Sequence, residues 1–532
     1  MKKISILIAL AAFAAAGCIK DESTDGTPLA PIKIQAMDGY TFVIGEPSTF
    51  TPEIEWNGEK ESDYTFSWRL NGLDEISTEK VLNYTFPEAG TQYLNLTITN
   101  KGNGITYNQD YEISVNSPFS LGWAILSKGA GNVSQLSFVH MESFKLYPDI
   151  YASMHSDKPL GKGPVAIASH SVAKADEICV MQDEGGWVEL DGSNFAIVSS
   201  VEKEFIDGRY PDEDGGFAPA SVHFTQRGAE FVISRSGKVY DRVTANPTTA
   251  STLMNAYYYA SVPWFYKGYA EPTKFTYSTL WPGQYCIPLF DDANKRWVPF
   301  GVTYSSPRNI QGMVWGGTKP SADFDYIAGM ASDVNIVYAE TTGDTGTKFT
   351  LFSIFEKDGK LYADKALWTS PTSAGNVSLS GYEQKELPEG YELSASTPFW
   401  LMRTYSTGEY STDPFLLFGQ GSKLYFYHFP TGAVSLVRDF SKGKTACGGN
   451  VVSFQQNGNA KQVGVLTSDG HFYVLSFSKN DAMGLIQNNI DPEDPDNNKL
   501  ELAHVSGIPG DPVQVIFKYG KAANWQQSKI DY

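Results

Sequence analysis

Short stretches of alternating apolar and polar residues, separated by turn residues, fill most of the chain after residue 31. In Tyr64–Leu70 the apolar side chains fall on every second position, and Tyr93–Thr99 shows the same alternation. A period of two residues is typical of β-strands with one buried face. Asn71-Gly72 directly follows the first of these strands and is a strong signal for a hairpin turn. The pattern therefore predicts an all-β protein.

Five such strands, spaced about ten residues apart, predict a small β-sandwich over residues 31–117. The predicted strands are Thr41–Gly45, Tyr64–Leu70, Val81–Phe86, Tyr93–Thr99 and Tyr111–Val115. This spacing favours an immunoglobulin-like sandwich. Ser117-Pro118 then forms a natural hinge, and we expect a second, larger domain over residues 119–532.

Reverse turns that are followed by a basic or aromatic residue recur throughout residues 119–532. The clearest lie at Gly237, Gly359, Gly421 and Gly470, and weaker ones lie at Gly131, Gly186 and Asn294. The turns follow one another at intervals of roughly 50 to 65 residues, which is long enough for four short strands. This repeat predicts a β-propeller with one such turn in each blade. Seven turns favour seven blades, while six or eight blades and an array of β-sandwiches are the alternatives.

Two strands far apart in the chain are candidates for closing this ring. Pro512–Lys518 is a predicted strand near the end of the chain, and Leu121–Leu126 is a predicted strand at the start of the large domain. If the two pair within one blade, the propeller has no open edge.

Charge and cysteine content narrow the range of functions. The formal net charge is −19, which argues against binding to nucleic acid or to an anionic membrane surface. Cys179, Cys286 and Cys447 are far apart and form neither a disulfide framework nor a metal motif. We expect them to be buried apolar residues, with a single disulfide as the alternative.

The first 18 residues predict where the protein is located. Lys2 and Lys3 precede an apolar run that is too short to span a bilayer permanently, and small residues then lead to Cys18. This start resembles a bacterial lipoprotein signal, which implies removal of residues 1–17 and acylation of Cys18. Several acyl chains anchor a protein stably, whereas one chain does not. An ordinary secretory signal with a chance cysteine is the alternative.

Residues 18–30 are rich in Asp, Ser, Thr, Gly and Pro, so we expect an acylated and flexible tether. Lys20, Asp21 and Glu22 resemble the export signal that sends lipoproteins of some Gram-negative bacteria to the outer face of the outer membrane. A generic solvated tether is the alternative. The resemblance implies an extracellular, lipid-anchored protein.

The predicted sandwich resembles a PKD domain in the residues that define its strands. The matching segments are Phe66–Trp68, Tyr84–Phe86, Glu88, Gly90 and Tyr93–Thr97. The resemblance implies that Trp68 fills the core and that Gly90 lets the chain turn before the penultimate strand. The related immunoglobulin-like families differ little from this pattern.

A lipoprotein signal, a PKD-like sandwich and a propeller-like body together resemble PKD-like surface lipoproteins associated with SusC/SusD-type outer-membrane importers. The resemblance implies an accessory protein that helps a TonB-dependent importer to handle peptides or glycans. The expected partners are the outer membrane, the importer complex and a peptide or glycan ligand, with no nucleic acid. The resemblance does not distinguish peptides from glycans.

The sequence carries none of the common catalytic motifs. It lacks HExxH, GxSxG and P-loop patterns, and its seven histidines lack metal-ligand spacing. We therefore predict no catalytic residue and no cofactor. Calcium is a weaker alternative at Asp491, Asp494 and Asp496, whose loop is rich in oxygen ligands but lacks the spacing of an EF-hand.

Aromatic residues are concentrated between residues 257 and 285. Tyr and Trp rings form flat apolar platforms with a polar tip, which suit sugars and peptide backbones. The candidate residues for binding a ligand or partner are Tyr257, Tyr259, Trp264, Tyr266, Trp281 and Tyr285. Packing inside the sheets or between domains is the favoured alternative for the same residues.

A tethered binding or docking module is the favoured function, because no catalytic signature is present. A surface hydrolase that acts on glycans or peptides through carboxylates in the propeller channel is an alternative, as is a cell-surface adhesion protein. Two close carboxyl groups with raised pKa values would favour the hydrolase. An exposed aromatic or apolar patch would favour docking.

Overall fold

The structure of the 532-residue chain is a computed structural model. It describes residues 32–36, 39–73, 75–170, 177–200, 219–224, 230–234, 237–243, 258–259, 275–278, 286–292, 295–305, 309–314, 334–342, 348–369, 378–402, 415–458, 460–486 and 500–518. The chain divides after Asn116 into two compact units. Within the described ranges, no helix has both the length and the apolar character needed to cross a membrane.

The first unit is a β-sandwich whose strands cover the described part of residues 32–116. The strands are β1 Lys33–Ile34, β2 Tyr40–Val43, β3 Pro47–Phe50, β4 Ile54–Glu55, β5 Tyr64–Leu70, β6 Glu75–Ser77, β7 Leu82–Thr85, β8 Gly90–Asn100 and β9 Thr106–Asn116. A five-stranded sheet has the order β2-β9-β8-β5-β6, and two further sheets pair β3 with β7 and β1 with β4. Each of the five predicted strands is present, with longer bounds for β8 and β9.

Trp68 lies at the centre of the sandwich core, as the resemblance to a PKD domain implied. Its side chain is fully buried, and its ring lies 5.4 Å from that of Phe50 and 6.1 Å from that of Tyr111, measured between centroids. Its indole N–H donates a 2.9 Å hydrogen bond to the carbonyl oxygen of Glu79. The core therefore buries the indole without leaving its donor unpaired.

The second unit contains seven four-stranded antiparallel sheets in its described residues. The first three sheets are built from β10 Gly122–Lys128, β11 Ser134–His140, β12 Leu146–Tyr147 and β37 Asp511–Lys518; from β13 Lys162–His170, β14 Glu177–Glu184, β15 Trp187–Asp191 and β16 Ile197–Ser200; and from β17 Pro219–Phe224, β18 Glu230–Ser234, β19 Val239–Val243 and β20 Tyr258–Tyr259.

The other four sheets follow one another along the chain. They are built from β21 Phe275–Ser278, β22 Cys286–Asp291, β23 Arg296–Ser305 and β24 Asn309–Val314; from β25 Asn335–Thr342, β26 Lys348–Lys357, β27 Lys360–Thr369 and β28 Ser378–Glu386; from β29 Phe399–Leu401, β30 Phe415–Gln420, β31 Lys423–His428 and β32 Ala433–Asp439; and from β33 Val451–Gln456, β34 Gln462–Thr467, β35 His471–Ser476 and β36 Glu501–Ser506. The described residues of the second unit also include two α-helices, α1 Ile150–Met154 and α2 Lys479–Ile486.

These seven sheets form a closed ring, because each contacts the next and the seventh contacts the first. Strand β37 contacts both β13 and β33, and further contacts join β13 to β17, β21 to β25, β25 to β29 and β29 to β33. The third and fourth sheets meet through β19 and β24. The unit is therefore a seven-bladed β-propeller, and the predicted fold class is confirmed.

The chain closes the ring by pairing its late strand β37 with β10, as predicted. The two strands are antiparallel, with Phe517 opposite Trp123 and Val515 opposite Ile125. The Trp123 ring also packs 5.6 Å from that of Phe472 in the seventh blade. The pairing supplies the fourth strand of the first blade. It also covers an edge of β10 that would otherwise expose unpaired backbone groups.

Every turn used to predict the repeat joins the second and third strands of a blade, counted from the ring axis. The turn at Gly359 shows why these turns require particular residues. Asp358 and Gly359 have φ values of +53° and +72°, the conformation that a two-residue hairpin needs and that Gly adopts without strain. One turn signal per blade therefore reflects one tight hairpin per blade.

Side chains on the innermost strands satisfy backbone groups of the neighbouring blade. Gln514 Oε1 accepts a 2.8 Å hydrogen bond from the Ile167 N–H, and Ser453 Oγ accepts a 3.1 Å bond from the Val515 N–H. Buried backbone donors need such partners. These bonds join the second blade to the first and the first blade to the seventh.

The cysteine residues behave as predicted where they are described. Cys179 and Cys447 are buried. Cys286 begins β22, and only its backbone is described.

Candidate functional site

Most of the residues predicted to bind or to be modified lie outside the described residues. These are Cys18, Lys20, Asp21, Glu22, Tyr257, Trp264, Tyr266, Trp281, Tyr285, Asp491, Asp494 and Asp496. Tyr259 belongs to β20, where its backbone lies opposite Arg242. The lipid anchor, the export signal, the aromatic binding cluster and the calcium alternative therefore stay predictions.

The outward side of the five-stranded sheet in the first unit carries short polar side chains. Buried and outward positions alternate along β8, so that Leu94 and Leu96 are fully buried while Tyr93 and Asn95 point away from the core. We call this surface the open face and define it by Tyr93, Asn95, Thr97, Asn108, Asp110 and Glu112. The register of β8 and β9 pairs these residues as Tyr93 with Glu112, Asn95 with Asp110, and Thr97 with Asn108.

Hydrogen bonds between neighbouring strands hold these side chains in place. Asn95 Nδ2 donates a 2.7 Å bond to Asp110 Oδ1. The Thr97 hydroxyl lies 2.7 Å from Asn108 Oδ1 and 3.1 Å from Asn95 Oδ1, within hydrogen-bond distance of both. A surface whose side chains are already ordered loses less conformational entropy when a ligand binds. The open face is therefore organised in advance.

Tyr93 is positioned by the turn that follows β5. The Asn71 N–H donates a 2.7 Å bond to the Tyr93 carbonyl, and the Tyr93 N–H donates a 2.9 Å bond to Asn71 Oδ1. Asn71 has a φ of +51°, a left-handed conformation that Asn tolerates better than most residues. The Tyr93 side chain is 52% exposed, and Leu73 in the same turn is 76% exposed. The turn thus presents an aromatic ring and an aliphatic side chain to solvent.

Charged groups at the margin of the open face are available for a ligand. Arg69, which lies opposite Asn95, and Glu112 form no ion pair within the described residues. Asp110 Oδ2 likewise accepts no hydrogen bond from the described part of the chain. The surface can therefore stack an apolar ligand face on Tyr93 while accepting and donating hydrogen bonds beside it.

A second polar site, which we call the blade cluster, lies between β32 of the sixth blade and β35–β36 of the seventh. It consists of Arg438, Thr445, His471, Tyr473, Glu501 and His504. Arg438 Nη2 lies 2.6 Å from Glu501 Oε2, and both side chains are largely buried. The Thr445 hydroxyl donates a 2.8 Å bond to the same carboxylate oxygen.

The guanidinium of Arg438 is also enclosed by two rings. Its central carbon lies 5.1 Å from the ring centroids of both Phe440 and Tyr473. Its Nε and Nη1 atoms form no hydrogen bond in the described structure. The π-faces of the rings attract this cation and account for its position.

Two histidines complete the blade cluster. His471 Nδ1 lies 2.8 Å from His504 Nε2, and the His504 ring stacks on Tyr473 at 4.7 Å. Burial and then the charge of nearby His471 lower the pKa of His504 below its ordinary value of 6.5. Burial raises the pKa of the Tyr473 hydroxyl, which donates a 2.5 Å bond to the Thr445 carbonyl. These shifts keep the His504 imidazole and the Tyr473 phenol neutral at pH 7.

The carboxyl groups beside the blade cluster are turn acceptors. Burial alone would raise the pKa of Asp439, but hydrogen bonds from Ser441 and Ser422 outweigh it and lower that pKa. Burial would also raise the pKa of Asp469, and bonds from Thr467 and the Gly448 N–H lower it instead. Neither group is suited to act as a general acid near neutral pH. In the described ranges, no three His, Cys, Asp or Glu side chains are grouped to hold a metal ion.

Residues 27–164 match the model of the PKD-like family. The match covers the described sandwich and continues past Asn116 to Pro164 in β13, so it includes strands β10 to β12 of the first blade. It spans about a quarter of the chain. The PKD-like resemblance seen in the sequence is thus confirmed for the N-terminal part of the protein. No curated protein matches the chain.

Solved structures with similar architecture share little sequence with this chain. A quinonprotein alcohol dehydrogenase-like protein from Bacteroides thetaiotaomicron is 14% identical, with 91% of this chain and 99% of that chain covered and a TM-score of 0.40. The Nup133 β-propeller domain of Vanderwaltozyma polyspora is 8% identical, with 63% and 86% covered and a TM-score of 0.34. The assignment of the propeller here rests on its own ring of sheets.

Sequence reasoning missed both sites for different reasons. For the open face the signal was the alternation of β8, which groups Tyr93 with polar residues, whereas the predicted binding residues lie in the denser aromatic run at residues 257–285. For the blade cluster no local signal exists, because Arg438, His471 and His504 are brought together by three separate strands. Only the packing of the sixth blade against the seventh joins them.

Proposed function

We propose that the protein is a lipid-anchored surface lipoprotein that serves as an accessory binding component of a SusC/SusD-type, TonB-dependent importer of peptides or glycans. Acylated Cys18 holds it in the outer membrane, and Lys20, Asp21 and Glu22 direct it to the extracellular face. The residues that follow form a tether to the PKD-like sandwich. The propeller provides a rigid closed body.

The open face is the observation that carries this proposal. It combines an exposed aromatic ring with polar side chains that are already fixed by hydrogen bonds. Such an arrangement suits the capture of a ligand rather than its chemical conversion. Asp439 and Asp469 give no support to a role in hydrolysis, because their pKa values are lowered rather than raised.

The anchoring part of the proposal is tested by metabolic labelling with an alkyne fatty acid in the native cells. The wild-type protein should incorporate the label and be digested when proteinase K is added to intact cells. The Cys18→Ala variant should remain unlabelled. The triple variant Lys20→Ala, Asp21→Ala, Glu22→Ala should keep the label but resist the protease, since it should face the periplasm.

Two outcomes would contradict this part of the proposal. An unlabelled wild-type protein would exclude the lipid anchor. A labelled wild-type protein that is protected in intact cells and digested only in lysed cells would exclude the extracellular location.

A further inference from the structure

We propose that the open face binds a neutral oligosaccharide, with Tyr93 as the stacking platform and Asp110, Asn95 and Asn108 as hydrogen-bonding groups. This inference rests on the proposed function, since it names the ligand class of that same surface. It concerns only the sandwich and needs no assumption about the propeller.

The first argument is the regular spacing of polar groups on the surface. Outward residues on one strand repeat about every 6.8 Å and neighbouring strands lie about 4.8 Å apart, so the open face is a regular grid of polar groups. Its central members are Thr and Asn side chains rather than Lys or Glu. Short side chains lose little rotamer entropy on binding, and here they are already fixed by bonds across β8 and β9.

The second argument is the hydrogen-bonding capacity that remains beyond the bonds across β8 and β9. Asp110 Oδ2 can accept hydrogen bonds, and the amide nitrogens of Asn95 and Asn108 each keep at least one N–H that can donate. Sugar hydroxyls also donate and accept, so they match this mixture. The exposed ring of Tyr93 offers an apolar platform to the C–H face of a pyranose.

The third argument separates a saccharide from other ligands. An extended peptide gains its affinity from backbone bonds at the edge of a sheet. The open face is centred on β8, an interior strand whose backbone groups pair with β5 and β9, so β8 offers a peptide no free edge. The acidic Asp110 and Glu112 outnumber the neighbouring Arg69, and this balance of charge disfavours phosphorylated and acidic polymers. A neutral oligosaccharide, which presents many hydroxyl groups and no charge, is the ligand class that fits this surface.

The test uses the mature full-length lipoprotein in a detergent without a sugar headgroup. Isothermal titration calorimetry measures its binding to cellohexaose, xylohexaose, maltohexaose, laminarihexaose and mannohexaose. At least one should bind. Tyr93→Ala should then weaken binding at least tenfold, whereas Tyr93→Phe should stay within about twofold because the ring is kept. Asp110→Ala should weaken binding by about two- to tenfold, the range expected for one lost hydrogen bond.

Ile105→Ala is the matched control, because Ile105 is an exposed apolar residue in the loop at the opposite end of β8 and should not affect binding. The absence of binding to every hexasaccharide at 5 mM would overturn the inference, as would binding that is unchanged in Tyr93→Ala. If an importer nevertheless copurifies with the protein, the proposed function survives that failure. If saccharides bind but no importer copurifies, the inference stands and the importer association is wrong.

Discussion

Arg438 is a buried charge whose surroundings determine whether it stabilises or destabilises the propeller. Its guanidinium is 2.6 Å from the Glu501 carboxylate and lies between the Phe440 and Tyr473 rings. Removal of a charge from water costs free energy, which the ion pair and the rings offset in the folded state. Removal of Glu501 alone should therefore lower the free energy of unfolding more than removal of both Arg438 and Glu501.

Glu501→Ala should lower the free energy of unfolding of the propeller by about 3 to 5 kcal/mol, because it leaves the Arg438 charge buried and unpaired. The double variant Arg438→Met, Glu501→Leu removes both charges at similar volume and should be substantially more stable than the single variant. Urea titration of each protein measures the difference. Equal stability of the single and double variants would contradict this account of the blade cluster.

His504 should make the stability of the propeller depend on pH. The pKa of folded His504 lies below the unfolded value of 6.5, so the unfolded chain takes up a proton that the folded state resists. The stabilising contribution is therefore present above pH 6.5 and is lost as the pH falls. Glu501 and Asp469 partly oppose this effect, and Arg438 adds to it.

The decrease in melting temperature between pH 7.5 and pH 5.5 should be smaller for His504→Gln than for the wild type. His140→Gln serves as the control, because His140 lies in the first blade, whereas His504 lies in the seventh. That variant keeps His504 and should therefore keep the decrease that His504 contributes. A His504→Gln protein with the full wild-type decrease would show that His504 does not contribute to the pH dependence.

At the scale of strands and sheets, the propeller depends on close contact between blades. Gly464 in β34 illustrates this, because a Cβ atom at this position would lie 2.7 Å from Trp123 in β10 and 2.8 Å from Phe472. Trp123 also packs on Phe517 of the closing strand. Trp123 can therefore take its place against the seventh blade only because Gly464 has no side chain.

Gly464→Ala should destabilise the propeller by about 1 to 3 kcal/mol, the usual cost of adding a methyl group to a filled core. Gly381→Ala in β28 is the matched control, since its Cβ atom would meet only Leu367 at an ordinary 3.7 Å. That variant should retain wild-type stability within about 0.5 kcal/mol, as is usual for a surface substitution. Thermal or urea unfolding of both variants measures the difference, and a harmless Gly464→Ala would refute the packing argument.

For the molecule as a whole, features that repeat were predictable and features that combine distant strands were not. The hairpin turns marked every blade because tight turns require particular residues at fixed places, as Asp358 and Gly359 show. The closing pair β10–β37 was predictable because the sequence shows one strand near the start of the large domain and another near its end. Alternation gave the outward position of Tyr93, but the bonds between Asn95 and Asp110 depend on a register that the sequence does not specify.

Purification of the C-terminally tagged protein from native outer membranes, followed by mass spectrometry of its partners, tests the central claim most directly. The account predicts that a TonB-dependent channel and a SusD-type lipoprotein are enriched with the wild type and not with Cys18→Ala. Recovery of the wild-type protein from the soluble periplasmic fraction, or from the outer membrane without either partner, would contradict it.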